Sequence, residues 1–202
     1  MDIETFLDLI PQSQSDQLLT TWGFDLVREY FDVAQQLPPT NSPVIELATG
    51  TGRMCAILSC MFPSTISGDI SLADLPRTLQ RVPKQFLSNI QFLQLNMENL
   101  PFCSDSIISL VCMNTMHEVE HPQKCLQEMI RVMSPDGTLV VGDFNRAGFN
   151  AMQKIHEIVY HNDHHKGFIS NNEIKKILVS SFHSVRSITT PLNITYFSSL
   201  KK

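Results

Sequence analysis

The sequence contains no apolar run long enough to span a bilayer, which argues against a membrane protein. Its start, MDIETFLDLI, lacks the basic segment of a secretion signal, so a cytoplasmic protein is expected. Cysteines are few: Cys55, Cys60, Cys103, Cys112 and Cys125, with no C-x-x-C pair among them. That spacing offers no zinc ribbon or redox pair, and the odd count fits reduced thiols. Basic residues are outnumbered, and the net charge of -5 argues against a surface built to grip phosphate backbones. Internal repeats and low-complexity tracts are missing too. These absences leave a small-molecule partner, with neither nucleic acid nor membrane expected, and they leave the oligomeric state open.

What is present is alternation. With 202 residues the chain is long enough for one domain with a substantial core. Residues 14–37 carry Leu19, Trp22, Leu26, Tyr30, Val33 and Leu37 at helical spacing, and LPPTNSP then breaks the chain. Residues 1–42 therefore read as an N-terminal helical extension, a possible substrate lid, and 43–202 as the main domain. There, strands are expected at 44–48, 65–70, 90–96, 106–114 and 138–144. Helices are expected at 52–62, 71–82, 122–133, 148–161 and 171–181. Two further strands, 184–190 and 194–200, are joined by a connection too short for a crossover, so they must be antiparallel. The fold class is α/β: a doubly wound, Rossmann-like, seven-stranded, mostly parallel sheet with a C-terminal antiparallel strand.

Ligands of such sheets bind outside the carboxyl ends of the strands. The first strand runs into IELATGTGR, where Gly50 and Gly52 permit a tight turn and close approach to bare backbone. Asp69 ends the second strand, where a carboxylate can accept from both hydroxyls of a ribose. Asn96 and Met97 follow the third strand and Asn114 ends the fourth. The dinucleotide pattern G-x-G-x-x-G/A fails at Cys55, and no tyrosine is followed four residues later by lysine. An NAD(P)-linked reductase is thereby disfavoured. No Walker lysine follows the glycines, which disfavours a nucleoside triphosphatase.

VIELATGTGR closely resembles motif I of class I S-adenosylmethionine-dependent methyltransferases, E/D-x-G/A-x-G-x-G, filled by Glu46, Ala48, Gly50 and Gly52. The stretch from LQLNMENLPF to SPDGTLVVGDF resembles the second half of the type 11 methyltransferase domain. The resemblance implies S-adenosylmethionine as cofactor. It implies that Glu46 faces the amino group of the methionine moiety, which Ala48, Gly50 and Gly52 line. Asp69 then holds the ribose with Ile70 nearby, Asn96 and Met97 hold adenine, and Asn114 lies beneath the sulfonium. Asn96 departs from the aspartate common at its position. Family members that methylate nucleic-acid amines carry N-P-P-Y after strand four, whereas this chain has NTMH. A small-molecule acceptor is therefore expected. A cofactor-binding module without turnover is the alternative.

HEVEH (117–121) matches the zinc-protease pattern H-E-x-x-H. That pattern works on a helix, but Pro122 pushes His121 toward extended backbone. HEVEH therefore reads as a strand-to-helix loop with no clearly placed third ligand, and no metal is expected. His117 is the candidate general base by position and by an ordinary pKa of about 6.5, with Glu118 second. Trp22 and Tyr30 are candidate substrate contacts. The loop YHNDHHKGF (160–168), with His161, His164 and His165, reads as a solvated turn or lid.

Overall fold

A computed structural model describes residues 3–165, 167 and 169–202. Lys166 and Phe168 of the histidine loop, like Met1 and Asp2, lie outside the described residues. The chain runs α1 (Ile3–Leu7), α2 (Gln14–Thr21), α3 (Leu26–Ala34), β1 (Val44–Leu47), α4 (Arg53–Met61), β2 (Thr65–Asp69) and α5 (Leu75–Arg81). It continues with β3 (Ile90–Gln94), β4 (Ile107–Met113), α6 (Pro122–Val132), β5 (Met133–Phe144), α7 (Arg146–Ile155), α8 (Asn171–Ser181), β6 (Phe182–Thr189) and β7 (Asn193–Lys201). Among the described residues no helix is long and apolar enough to cross a membrane.

One sheet has the order β3-β2-β1-β4-β5-β7-β6. Strands β1 to β5 pair in parallel, and β7 runs antiparallel between β5 and β6. This is the expected doubly wound sheet. Its faces follow from period-two alternation. Val44, Val111 and Val140 join one core with α3, α4 and α7, while Ile45, Leu110 and Leu139 join a second core with α6 and α8. Strands buried on both sides read as continuous apolar runs, as β1 and β4 do. The chain leaves β1 toward β2 on one side and enters β4 on the other, so the switch point lies between β1 and β4.

Three elements differ from expectation. The helix over 14–37 is two helices. Gly23 adopts φ +84°, and Phe24 N–H donates to the Leu19 carbonyl at 2.9 Å, closing α2 in a Schellman turn. Asp25 then caps α3 by accepting from Arg28 N–H at 2.8 Å. Strand β5 begins at Met133, ahead of the expected 138. Ile107 pairs with Met133 and Ser109 with Thr138, so the Pro-Asp-Gly turn is a bulge inside the strand. The helix expected over 148–161 is α7 followed by one π-helical turn, His156–Tyr160, ending on His161 at φ +57°.

The N-terminal helices share the core of the main domain: Leu19, Val27, Tyr30 and Val33 pack in one cluster with Met54 and Ile57 of α4. Asp16, at the start of α2, is buried between Arg53 of α4 and Arg81 of α5, with Arg53 Nη2 donating to it at 2.7 Å. Burial favours its neutral form, but the two guanidinium groups outweigh that and hold the Asp16 carboxyl below the usual range.

Candidate active site

Between the carboxyl ends of β1 to β5 lies a cavity of about 520 Å³. Of the nine positions expected to hold S-adenosylmethionine, all but Gly52 line it.

The loop after β1 is built on left-handed backbone: Ala48 at φ 60°, Gly50 at 49° and Gly52 at 80°. The turn brings the Gly50 amide onto Asp69, which accepts from it at 2.9 Å and from Ser71 N–H at 3.1 Å. Each carboxylate oxygen keeps a second lone pair, and Asp69 borders the cavity. A Cβ on Gly50 meets nothing within 4 Å, so the backbone there is open to a ligand. Gly52 has a different role. A Cβ on it would lie 2.5 Å from Thr78 Cγ2 and 3.0 Å from Thr78 Cα, so its small size seats α5 against α4. Gly52→Ala is therefore expected to lose about 2–5 kcal/mol in urea denaturation, from left-handed strain plus overpacking. A loss under about 1 kcal/mol would remove that role.

Glu46, on β1, is buried and accepts from the Ser67 hydroxyl. Burial pushes its carboxyl up to about 8 against that hydrogen bond. Asn96 is exposed at the cavity edge and spends one lone pair of its amide oxygen on Glu98 N–H at 2.9 Å. Met97 and the 66 % exposed Ile70 flank the same end.

Asn114, left-handed at φ 53°, donates from its amide to the Tyr30 hydroxyl at 2.9 Å. Among the described residues its buried Oδ1 has no hydrogen-bond partner, which leaves an acceptor for a ligand's donor. Tyr30, reaching in from α3, is buried on the cavity wall, and burial pushes its phenol up to about 12. Trp22 does not line the cavity. It caps the end of α2 and packs on the core, with Lys154 Nζ 5.8 Å from its ring centroid.

HEVEH lies, as expected, in a loop: α6 starts only at Pro122, and His121 turns outward to Glu98 at 3.0 Å. His117 is not on the cavity wall. It is 1 % exposed, behind Glu118 and His164, which do line the cavity. Its Nδ1 lies 2.6 Å from Asp143 Oδ1, its backbone N–H donates to Asp143 Oδ2 at 3.0 Å, and its Nε2 lies 3.2 Å from His164 Nε2. Burial opposes charge on His117, but the bond to Asp143 prevails and raises its pKa to about 9. Burial, with repulsion from His117 and His156, pushes His164 down to about 4. The two shifts together place the positive charge on His117 and leave His164 neutral.

Sequence reading missed Arg53, Phe144, Met152 and His164 on the cavity wall. Phe144 ends β5, so the strand-end rule applied once more would have found it. His164 had only the crowding of histidines in its loop to mark it.

The polar groups suit S-adenosylmethionine: a carboxylate beside an open backbone turn after β2 for a diol, a buried carboxyl on β1 for an amine, and the Asn114 amide oxygen after β4. A family model described as a methyltransferase domain matches residues 39–184. Curated relatives include ubiquinone/menaquinone biosynthesis C-methyltransferases UbiE. That of Proteus mirabilis is 26% identical over 69% of this chain and 57% of its own length. That of Pasteurella multocida is 30% identical over 68% of this chain and 53% of its own. The chain thus spans a little over half the length of these relatives. Among solved structures, a Thermotoga maritima S-adenosylmethionine-dependent methyltransferase, described as a possible histamine N-methyltransferase, superposes with TM-score 0.63 at 18% identity, covering 87% of this chain and 89% of that one. With motif, fold and family model in agreement, this chain belongs to the class I S-adenosylmethionine-dependent methyltransferase family.

Proposed function

We propose that the chain transfers the methyl group of S-adenosylmethionine to a small molecule, an apolar or aromatic compound bearing a hydroxyl. The observation that carries this reading is the division of the cavity. Strands β1 to β3 bring Glu46, Gly50, Asp69 and Asn96 to one end for the cofactor. The other is walled by Met113, Phe144 and Met152, with Tyr30, Glu118 and His164 as polar points. A volume of about 520 Å³ suits small ligands. Among the described residues four carboxylates, Asp69, Glu98, Glu118 and Glu120, border it against the guanidinium of Arg53, which disfavours a polyanion such as nucleic acid.

In this reading the sulfonium supplies an already activated methyl group. What remains for the protein is positioning, with the proton that the acceptor hydroxyl loses leaving to solvent water. Glu46 holds the amine end of the cofactor, Asp69 its ribose, Asn96 and Met97 its adenine end, and Asn114 lies beneath the sulfonium. Tyr30 and the apolar wall aim the acceptor, and orientation of this kind is worth up to about 7–11 kcal/mol. The N-terminal helices act as part of the acceptor wall through Tyr30.

The test is binding, then turnover. S-adenosylhomocysteine should raise the melting temperature and NAD should not. Methyl release to a panel of phenols and other hydroxyl compounds should then exceed release to RNA or DNA. A shift with NAD alone, or methyl transfer to nucleic acid alone, would overturn the reading.

Glu46 adds a proton signature. Between the ordinary value of 4.5 and about 8 the folded chain holds a proton that the unfolded chain has lost, so this group lowers stability as pH rises across that window. An amine placed against Glu46 favours its ionised form. Binding of S-adenosylhomocysteine at pH 7 is therefore expected to release a proton, visible by calorimetry in buffers of different ionisation enthalpy, and Glu46→Gln should abolish that release. Identical heats in all buffers would place the amine elsewhere.

A further inference from the structure

Two stretches with no assigned role meet in space. His117 and Glu118 open HEVEH, and His164 comes from the histidine loop. One ligating atom from each lies within 4.8 Å of the others. We propose that His117, Glu118 and His164 form a binding site for a divalent cation of the zinc class, at the acceptor end of the cavity, with its open position facing the acceptor. That the open position takes an acceptor oxygen rests on the methyltransferase reading above; the cation site itself does not.

The spacing is that of ligands around one ion. Two imidazole nitrogens bound tetrahedrally at zinc distances lie about 3.3 Å apart. His117 Nε2 and His164 Nε2 are 3.2 Å apart, and Glu118 Oε1 is 3.6 Å from the same His117 nitrogen. Two histidines and one carboxylate make a familiar donor set for zinc and related ions.

The surroundings repeat the second layer of such sites. Asp143 takes the Nδ1 side of His117 at 2.6 Å and is itself fixed by the His117 and Phe144 backbone N–H groups at 3.0 and 2.8 Å. This leaves Nε2 as the atom turned toward His164 and Glu118. A carboxylate behind a histidine in this way orients a metal ligand. The rings of Phe144 and Phe149 stand 5.6 and 5.1 Å from that of His117 and keep its inner side apolar. The cavity side carries Glu118 and His164, so an ion held there meets whatever occupies the cleft.

His164 is delivered by unusual backbone. The π turn His156–Tyr160 and the left-handed His161 reverse the chain after α7. Gln153 Oε1 then accepts from His164 N–H at 3.1 Å. Gly167 passes so close to the His117 carbonyl that a Cβ would lie 1.6 Å from its oxygen. Both π turns and close glycine approaches are common where a backbone is shaped for a site. A cation in this place would orient an acceptor oxygen and favour its anionic form.

The experiment uses the full chain, treated with chelator and titrated with Co²⁺. S-adenosylhomocysteine binding is measured in parallel as the check on folding. One equivalent of Co²⁺ should bind with visible absorption of low-symmetry coordination and be displaced by Zn²⁺. His164→Gln and Glu118→Gln should each weaken it by about ten-fold or more, as should Asp143→Asn acting through His117. His121→Ala, at the far end of HEVEH, should bind as the parent does. Co²⁺ binding without S-adenosylhomocysteine binding would keep the cation site and remove the reading of its ligand. The site is overturned if the chelated chain binds S-adenosylhomocysteine yet takes up no Co²⁺. It is equally overturned if a chain carrying both His164→Gln and Glu118→Gln binds Co²⁺ undiminished.

Discussion

Asp69→Ala is expected to weaken S-adenosylhomocysteine binding at least about 100-fold, with the fold intact. Hydrogen bonds to a charged group contribute about 1.5–3 kcal/mol each, and a ribose offers two hydroxyls. Losing both costs about 3–6 kcal/mol, and each 1.4 kcal/mol is ten-fold in affinity. The same carboxylate also accepts from the Gly50 and Ser71 amides, so its removal loosens the turn that approaches the ligand. Asp69→Asn keeps one acceptor and should fall between parent and alanine variant. Calorimetric titration reads the effect directly. An affinity within three-fold of the parent would move the ribose away from Asp69 and with it the orientation of the whole nucleoside.

The second large effect is on stability. Asp16→Ala is expected to lower the free energy of unfolding by about 3–5 kcal/mol, because it leaves charge buried without its partner. Among the described residues Arg81 Nη1 already lacks a hydrogen-bond partner, so the site has little spare polarity to absorb the loss. Urea denaturation of Asp16→Ala beside the parent gives the number, and a change under about 1 kcal/mol would mean that the guanidinium groups find solvent. The pH dependence has a definite sign. The Asp16 carboxyl is held below its ordinary value in the folded chain, so its stabilisation is present above that value and is lost as pH falls through the lowered one. The Asp16→Ala variant should lack that part of the acid sensitivity.

Much of this molecule is legible in its sequence because its central strands are buried on both faces. VIEL and IISLVCM leave no room for an amphipathic reading, and Pro63 and Pro122 mark where α4 stops and α6 starts. The strand-end rule then carries Asp69, Asn96 and Asn114 to one cavity without knowledge of any contact, and the resemblance to motif I adds Glu46. What escapes is of two kinds. Where local geometry interrupts a pattern without disturbing its spacing, the pattern wins: Trp22 and Leu26 keep helical phase across the Gly23 turn, so α2 and α3 read as one. Where a pairing is tertiary, no spacing reports it. His117 and His164 are 47 residues apart, and a π turn intervenes. Gly52 was expected beside the ligand because glycines in such a loop commonly are, yet its neighbour is Thr78.

The cluster of Asp16, Arg53 and Arg81 also bears on how the chain can change over generations. Replacing a buried ion cluster as a whole with well-packed apolar side chains is often neutral or stabilising. Replacing one member strands the others. Descent away from this arrangement therefore has to cross less stable intermediates, and the three positions should be inherited as a set. Two of them lie within the stretch matched by the family model, residues 39–184, and Asp16 lies before it. A lineage that exchanged the N-terminal helices alone would carry off one charge and leave two behind.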